Sequence, residues 1–267
     1  IDIFYTNNSI ISATSSNSIF KKFTLLTTFT NSWEVHLFFL IGIIFSILLI
    51  IGYKTKLSHI ICTIIIVSIH NRAIILENAA DMFFNSLLIW TVFLPLGISY
   101  SIDCLRKSLS TYKENSIEEL NNRDYGINKS SKVFSLAYFA VLYQIAAIYF
   151  FTCINKNGND WLEGSAVYKL FQLDTFLTPV SYFLRDYITP SVSKFFTFST
   201  QYLEFIVPFL IFIPFYSYLF RIILVLFLSL FHIMIRLFAK VGLFSQTMII
   251  TYILLIDTRI YNFINKN

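Results

Sequence analysis

Apolar positions in this chain come in long uninterrupted runs, not in the strict alternation of strands, and the runs approach the length of a membrane-crossing helix. Seven stand out: His36–Gly52, Ser58–Leu76, Asp81–Tyr100, Val133–Ile154, Gln201–Leu219, Ile222–Phe238 and Ser245–Ile256. A hydrocarbon layer of about 30 Å needs about 20 helical residues. The first and last runs therefore have to borrow flanking residues, tilt or stop short. Pro95 and Gly97 should kink or end the third run, and Pro208 and Pro214 lie inside the fifth. The pattern predicts an all-α, polytopic helical bundle of about seven spans in one domain over residues 1–267.

Three polar segments complete the layout. Residues 1–33 are rich in Ser, Thr and Asn and lack the charged and apolar regions of a signal peptide. Residues 101–132 carry Arg106, Lys107, Lys113, Arg123, Lys129 and Lys132. Residues 155–200 mix Trp, Tyr and Phe with isolated charges and with Gly158, Gly164 and Pro179, which predicts an interfacial cap of short amphipathic helices. Trp161, Phe171, Phe176 and Tyr182 are its expected anchors. If seven spans alternate, Lys54, Lys56, the basic 101–132 segment, Arg221, Arg259 and Lys266 share one side. Lys/Arg bias makes that side cytoplasmic, with residues 1–33 and 155–200 outside. No internal repeat supports a transporter built from inverted repeats.

Composition agrees. Among 267 residues, 56% are hydrophobic and 13% charged, with 30 Phe and 16 Tyr. Soluble domains carry about 25% charged residues, so a soluble enzyme, a disordered chain and a secreted disulfide scaffold are excluded. The net charge of +5 fits anionic lipid headgroups better than nucleic acid, which is not an expected partner. Cys62, Cys104 and Cys153 form no CxxC pair, and His36, His59, His70 and His232 form no HExxH motif, so no metal site is predicted.

Ionisable residues within apolar runs are costly and mark candidate sites. Six qualify: His70, Arg72, Asp81, Glu204, His232 and Arg236. Arg72 and Asp81 flank a turn containing Glu77 and read equally well as snorkelling anchors or an ion pair. His232 and Arg236, spaced i, i+4, share a helix face. Glu204 is at a depth from which it would accept a bond from Arg236 or Arg72. Lys156 ends the fourth run on the same side. It is either an interfacial anchor or, if the cap buries it, a lysine whose neutral amine is favoured by desolvation and can act as a general base. Glu163 or Glu204 nearby would oppose that.

The runs Ser68–Asp103, Tyr149–Asp174 and Leu230–Ile249 resemble, in order, the horizontally transferred transmembrane (HTTM) domain, which is the membrane domain of vitamin K-dependent gamma-carboxylase. The most specific piece is Lys-x(4)-Trp-x-Glu-Gly, Lys156 to Gly164, with Trp161 and Glu163 inside it. Phe4–Ala13 resembles the outer segment after that family's first helix, which leads one to expect a further span upstream of Ile1. The resemblance implies a quinol-linked epoxidase or carboxylase-like lyase, with a reduced, vitamin K-like quinone as cofactor and O2 and CO2 as co-substrates. It also implies that Lys156 and His232 are catalytic. Arg72, Asp81, Glu204, Arg236, Trp161 and Glu163 form the expected polar or pocket cluster. Another family histidine falls on Ala80, so its function is missing or relocated here. The expected setting is a bacterial inner membrane, with the lipid bilayer as partner. Two other readings stay open. One is a membrane subunit that matures a secreted peptide, as in the sporulation-delaying toxin system. The other is a non-catalytic scaffold of a larger membrane complex.

Overall fold

The computed structural model describes residue 5 and residues 24–72, 78–118, 136–213 and 218–256. Every regular element among them is helical. The chain divides into two compact units, Ile1–Tyr138 and Phe139–Asn267.

In the first unit, α1 (Ser32–Ile51), α2 (Thr55–Arg72) and α3 (Ala79–Thr91) are followed by α4 (Ile102–Glu118). A capping box between Asn31 and Glu34 starts α1, and Gly52 ends it in the left-handed conformation. Gly42 lets α1 approach Ile65 of α2, where an added Cβ would come within 3.1 Å. Leu26, Val35, Phe38 and Ile65 form a buried cluster here. A second capping box, Asn78 with Asp81, starts α3.

Helix α3 is shorter than predicted. The apolar run continues to Tyr100, but the helix stops at Thr91. Pro95 explains this: its ring clashes with the carbonyl four residues earlier, that of Thr91, and it has no N–H to donate there. Residues 102–118, read as part of a polar loop, are instead the helix α4.

The second unit holds α5 (Leu136–Asn155), the short helices α6 (Asn159–Glu163), α7 (Ala166–Leu170) and α8 (Pro179–Leu184), then α9 (Pro190–Phe212), α10 (Tyr218–Phe238) and α11 (Phe244–Thr251) with a 3-10 turn over Tyr252–Leu255. Helix α9 begins well before the predicted Gln201. Thr189 caps it by accepting from the Val192 N–H, and Pro190 occupies the first turn, where a missing donor costs nothing. An isolated antiparallel bridge joins Leu177 to Ala239.

Among the described residues, four helices, α1, α5, α9 and α10, are long and apolar enough to cross a membrane. The second, third and seventh predicted spans correspond to α2, α3 and α11. Helix α2 carries Lys56, His59, His70 and Arg72, and α3 and α11 are 13 and 8 residues long. Glu77, Arg123, Lys129, Lys132, Pro214, Arg259, Lys266 and most of residues 1–33 lie outside the described residues.

Candidate functional site

The second unit builds a polar core from three helices. Tyr149, Cys153 and Lys156 follow one another at i, i+4 and i+7 along α5 and its end, and so share a face about 10 Å long. Opposite them, α9 supplies Gln201 and Glu204. The Lys156 ammonium donates to Glu204 Oε1 in a direct ion pair whose side chains are 16% and 7% exposed. Gln201 Nε2 donates to the Lys156 carbonyl at 3.0 Å, which ties the end of α5 to α9. Lys156 Nζ also sits 4.7 Å from the centre of the Trp161 ring, close enough for a cation–π contact.

Glu204 is only half satisfied. Its Oε2 is buried and has no hydrogen-bond partner among the described residues. Pro208 is buried one turn on and has no N–H to offer the Glu204 carbonyl, so the helix loses a rung at the residue that carries the carboxylate.

Two turns back along α5, the Tyr149 hydroxyl lies 3.1 Å from His232 Nε2 on α10. It also hydrogen-bonds the hydroxyl of Tyr252. The His232 ring is packed among Tyr149, Phe231, Phe244 and Tyr252. It is 1% exposed, and its Nδ1 has no partner among the described residues.

The turn that carries Trp161 is held by α9. Ser193 and Thr197, one turn apart, donate to the Gly164 carbonyl at 2.8 and 3.2 Å. Ser193 also accepts from the Tyr168 N–H at 2.9 Å. Gly164 has φ +80, and an added Cβ would meet Lys194 Cγ at 2.7 Å. Farther along the segment, Arg185 donates to the Phe171 carbonyl at 2.7 Å and pairs with Asp174. The Arg185 guanidinium holds the Asp174 carboxyl below its usual range.

The predicted site residues are thus divided. Lys156, Trp161, Glu204 and His232 lie along this core. Glu204 has Lys156 as its partner, in place of the expected Arg236 or Arg72. Arg236 is exposed and donates to the Gly242 carbonyl at 2.9 Å, which clamps the turn after α10. Glu163 is also exposed and acts on Lys169, itself paired with Asp160. Phe171 is buried, whereas Phe176 and Tyr182 are 48% and 47% exposed. In the first unit, Arg72 is buried. Asp81 accepts from the Asn78 N–H at 3.0 Å and faces His70 Nε2 at 3.7 Å. His70 Nδ1 contacts Asn85 Oδ1 at 2.8 Å. Among the described residues, no three His, Cys, Asp or Glu side chains converge as metal ligands would.

Sequence reasoning missed Tyr149, Cys153, Gln201 and Tyr252. The spacing of Tyr149 from Lys156, seven residues, was the available signal for the first. Tyr252 had none, because it lies in a run too short to assign a facing side.

A helical unit with ionisable groups paired between apolar helices defines an integral membrane protein with a buried polar core. The model of the HTTM domain family matches residues 9–259, and the chain belongs to that family. No curated protein and no solved structure matches the chain.

Proposed function

We propose that this HTTM-domain protein is a membrane enzyme acting on a reduced quinone, with Lys156 as the base and His232 as the group that steadies anionic oxygen. The observation that carries this reading is the buried Lys156–Glu204 pair, with one carboxylate oxygen left empty. Buried ion pairs add little stability compared with apolar packing, so a chain this apolar gains little from one unless the charges have a task.

The residues fit a hydroquinone. Glu204 Oε2 can accept from a ligand hydroxyl, and His232 Nδ1 is a second empty polar atom in the same unit. By resemblance to the gamma-carboxylase membrane domain, the quinol supplies electrons to O2 and yields a base strong enough to take a proton from glutamate, to which CO2 then adds. In this chain, Lys156 first passes a proton to Glu204 Oε1. That transfer leaves the pair neutral overall, so it adds no net charge to an apolar setting. The resulting amine can then accept the phenolic proton. His232, held through Nε2 by Tyr149, presents Nδ1 to developing negative charge in the tautomer that protonates it. Trp161 lies against Lys156, and its ring face favours the ammonium form before the transfer. The expected orientation places this core toward the outer leaflet, under the 155–189 segment.

The test is quinol oxidation by purified protein with a reduced naphthoquinone. Lys156→Ala and His232→Ala should each lose about 10²–10⁴-fold in turnover. Lys156→Arg keeps the ion pair but should be equally inactive, because a guanidinium does not deprotonate in proteins. Full activity in Lys156→Arg would end the general-base role. Folded wild-type protein without any turnover would favour the scaffold reading instead.

A further inference from the structure

Helix α4 is polar overall, yet its first three turns carry an apolar stripe. Ile102, Leu105, Leu109 and Tyr112 are 36%, 58%, 58% and 75% exposed. Spacings of three, four and three residues place them within an arc of about 80°. None of residues 102–112 of α4 is buried. A helix with one apolar face, cations and low overall hydropathy is the pattern of a helix lying in a membrane interface.

Its position at such an interface is fixed by the clamp at its start. Asp103 accepts from the Lys54 N–H at 2.9 Å, and from the Thr55 N–H and hydroxyl at 2.7 Å each. The Asp103 N–H donates to the Gly52 carbonyl at 3.0 Å. Gly52 ends α1, one of the helices able to cross a membrane. Helix α4 therefore starts at the depth where α1 leaves the apolar layer. Tyr53 lies between the two helices, with Lys54 Nζ 6.0 Å and Arg106 Cζ 5.6 Å from its ring centre. A tyrosine flanked by cations at a helix end is an interfacial anchor.

The charge is one-sided. Lys54, Lys56, Arg106 and Lys107 are exposed. The acid within the stripe's span, Asp103, is occupied by its three donors. We propose that α4 is a surface helix that lies on an anionic phospholipid bilayer. Its stripe enters the acyl boundary, and the four cations meet the headgroups.

The experiment uses the full chain with Cys62→Ala, Cys104→Ala and Cys153→Ala, and a polarity-sensitive fluorophore on Leu109→Cys. The protein is reconstituted into vesicles of phosphatidylcholine alone, or of an equal mixture with phosphatidylglycerol, with and without lipids spin-labelled in the acyl chain. Blue-shifted emission quenched by the spin label, stronger with phosphatidylglycerol and weakened by salt, is the expected result. Arg106→Glu should lower the docked-to-undocked ratio by about fivefold or more in the mixed vesicles, from the known contribution of a basic residue near an anionic surface. A second set, Leu105→Glu with the label kept, should lose the quenching, although Leu105 packs against no core. Water-like emission in both vesicle types would overturn the proposal. So would blue-shifted emission in lipid-free detergent that grows with protein concentration, since that result assigns the stripe to a second copy of this chain. Quenching that is equal in both vesicle types would remove the anionic part and overturn the charge argument.

Discussion

Two carboxylates show how differently the two units use their few charges. Asp103 is at a surface turn, and both of its oxygens accept hydrogen bonds, three in all. Glu204 is buried, with one oxygen on Lys156 and the other facing nothing. A carboxylate with three donors at a surface fastens two pieces of backbone, and water can reach whatever acceptor capacity remains. A half-filled one between apolar helices is costly to keep, and that cost is what distinguishes a site from a clamp. The backbones follow the same division. The Asp103 clamp rests on Gly52, whose Cβ would strike the Ser101 backbone, whereas the Lys156 turn rests on Gly164, whose Cβ would strike the flexible Lys194 side chain.

The sharpest way to break this comparison is to strand Glu204. Lys156→Ala removes the ammonium and leaves a buried carboxylate alone, which should cost about 3–5 kcal/mol of stability. Replacing the whole pair, Lys156→Met with Glu204→Leu, should recover most of that loss, because buried pairs exchange for apolar contacts at little net cost. Lys169→Ala is the control: it breaks an exposed pair with Asp160, its two side chains 61% and 41% exposed, and should leave the unfolding midpoint unmoved. The readout is denaturant unfolding in detergent. If Lys156→Ala behaves like Lys169→Ala, Glu204 is solvated in solution and the distinction between the two carboxylates falls.

The fold was legible where hydropathy alone decides. The apolar runs at Val133–Ile154 and Ile222–Phe238 became α5 and α10 with shifts of a few residues. It was not legible where polar residues work inside a helix. Residues 190–200 read as the end of an interfacial cap of short amphipathic helices, but Ser193 and Thr197 form an inward polar edge of the long helix α9 that holds Gly164. Thr189-Pro190 is a helix-start signal that the sequence carries and that the reading of residues 155–200 did not use. The site divides along the same line. Lys156, Trp161, Glu204 and His232 were visible as polar residues at the ends of or inside apolar runs. Glu204 was named beside Glu163 as a neighbour that would act on Lys156, but the direct pair was not singled out, because depth along a span fixes height and leaves open which faces meet. The long side chain of Arg236 reaches past the helix end to the Gly242 carbonyl.

A smaller effect tests the two glycines. Both have positive φ, 70 for Gly52 and 80 for Gly164. An alanine pays the left-handed penalty of about 1–2 kcal/mol at either position. At Gly52 the new Cβ also lies 2.9 Å from the Ser101 Cα, an atom that cannot move without the clamp. At Gly164 the first atom met is Lys194 Cγ, which can rotate away, although the Lys194 Cα at 3.1 Å leaves little room. Gly52→Ala should therefore lower the unfolding midpoint more than Gly164→Ala does. The reverse order would mean that the Trp161 turn, and not the Asp103 clamp, is the more rigid of the two.

The smallest effect is in the pH dependence of the clamp. Backbone and side-chain donors from Thr55, with the Lys54 N–H and the Arg106 charge, hold the Asp103 carboxyl below its ordinary value. A carboxyl depressed in the folded state contributes stability that is fully present above its unfolded value, about 3.9. That contribution is lost as the pH falls through the lower folded value. Amide exchange at Lys54 and Thr55 should therefore stay protected through the range in which free aspartates protonate, and lose protection only below it. Asp103→Asn keeps one acceptor and cannot titrate, so its protection should be weaker at neutral pH and flat on acidification. If protection in the wild type fades at the ordinary carboxylate value instead, the three donors give the ionised form no advantage. Asp103 would then differ from Glu204 only in exposure, and the contrast between a filled and a half-filled carboxylate would have to be drawn from burial alone.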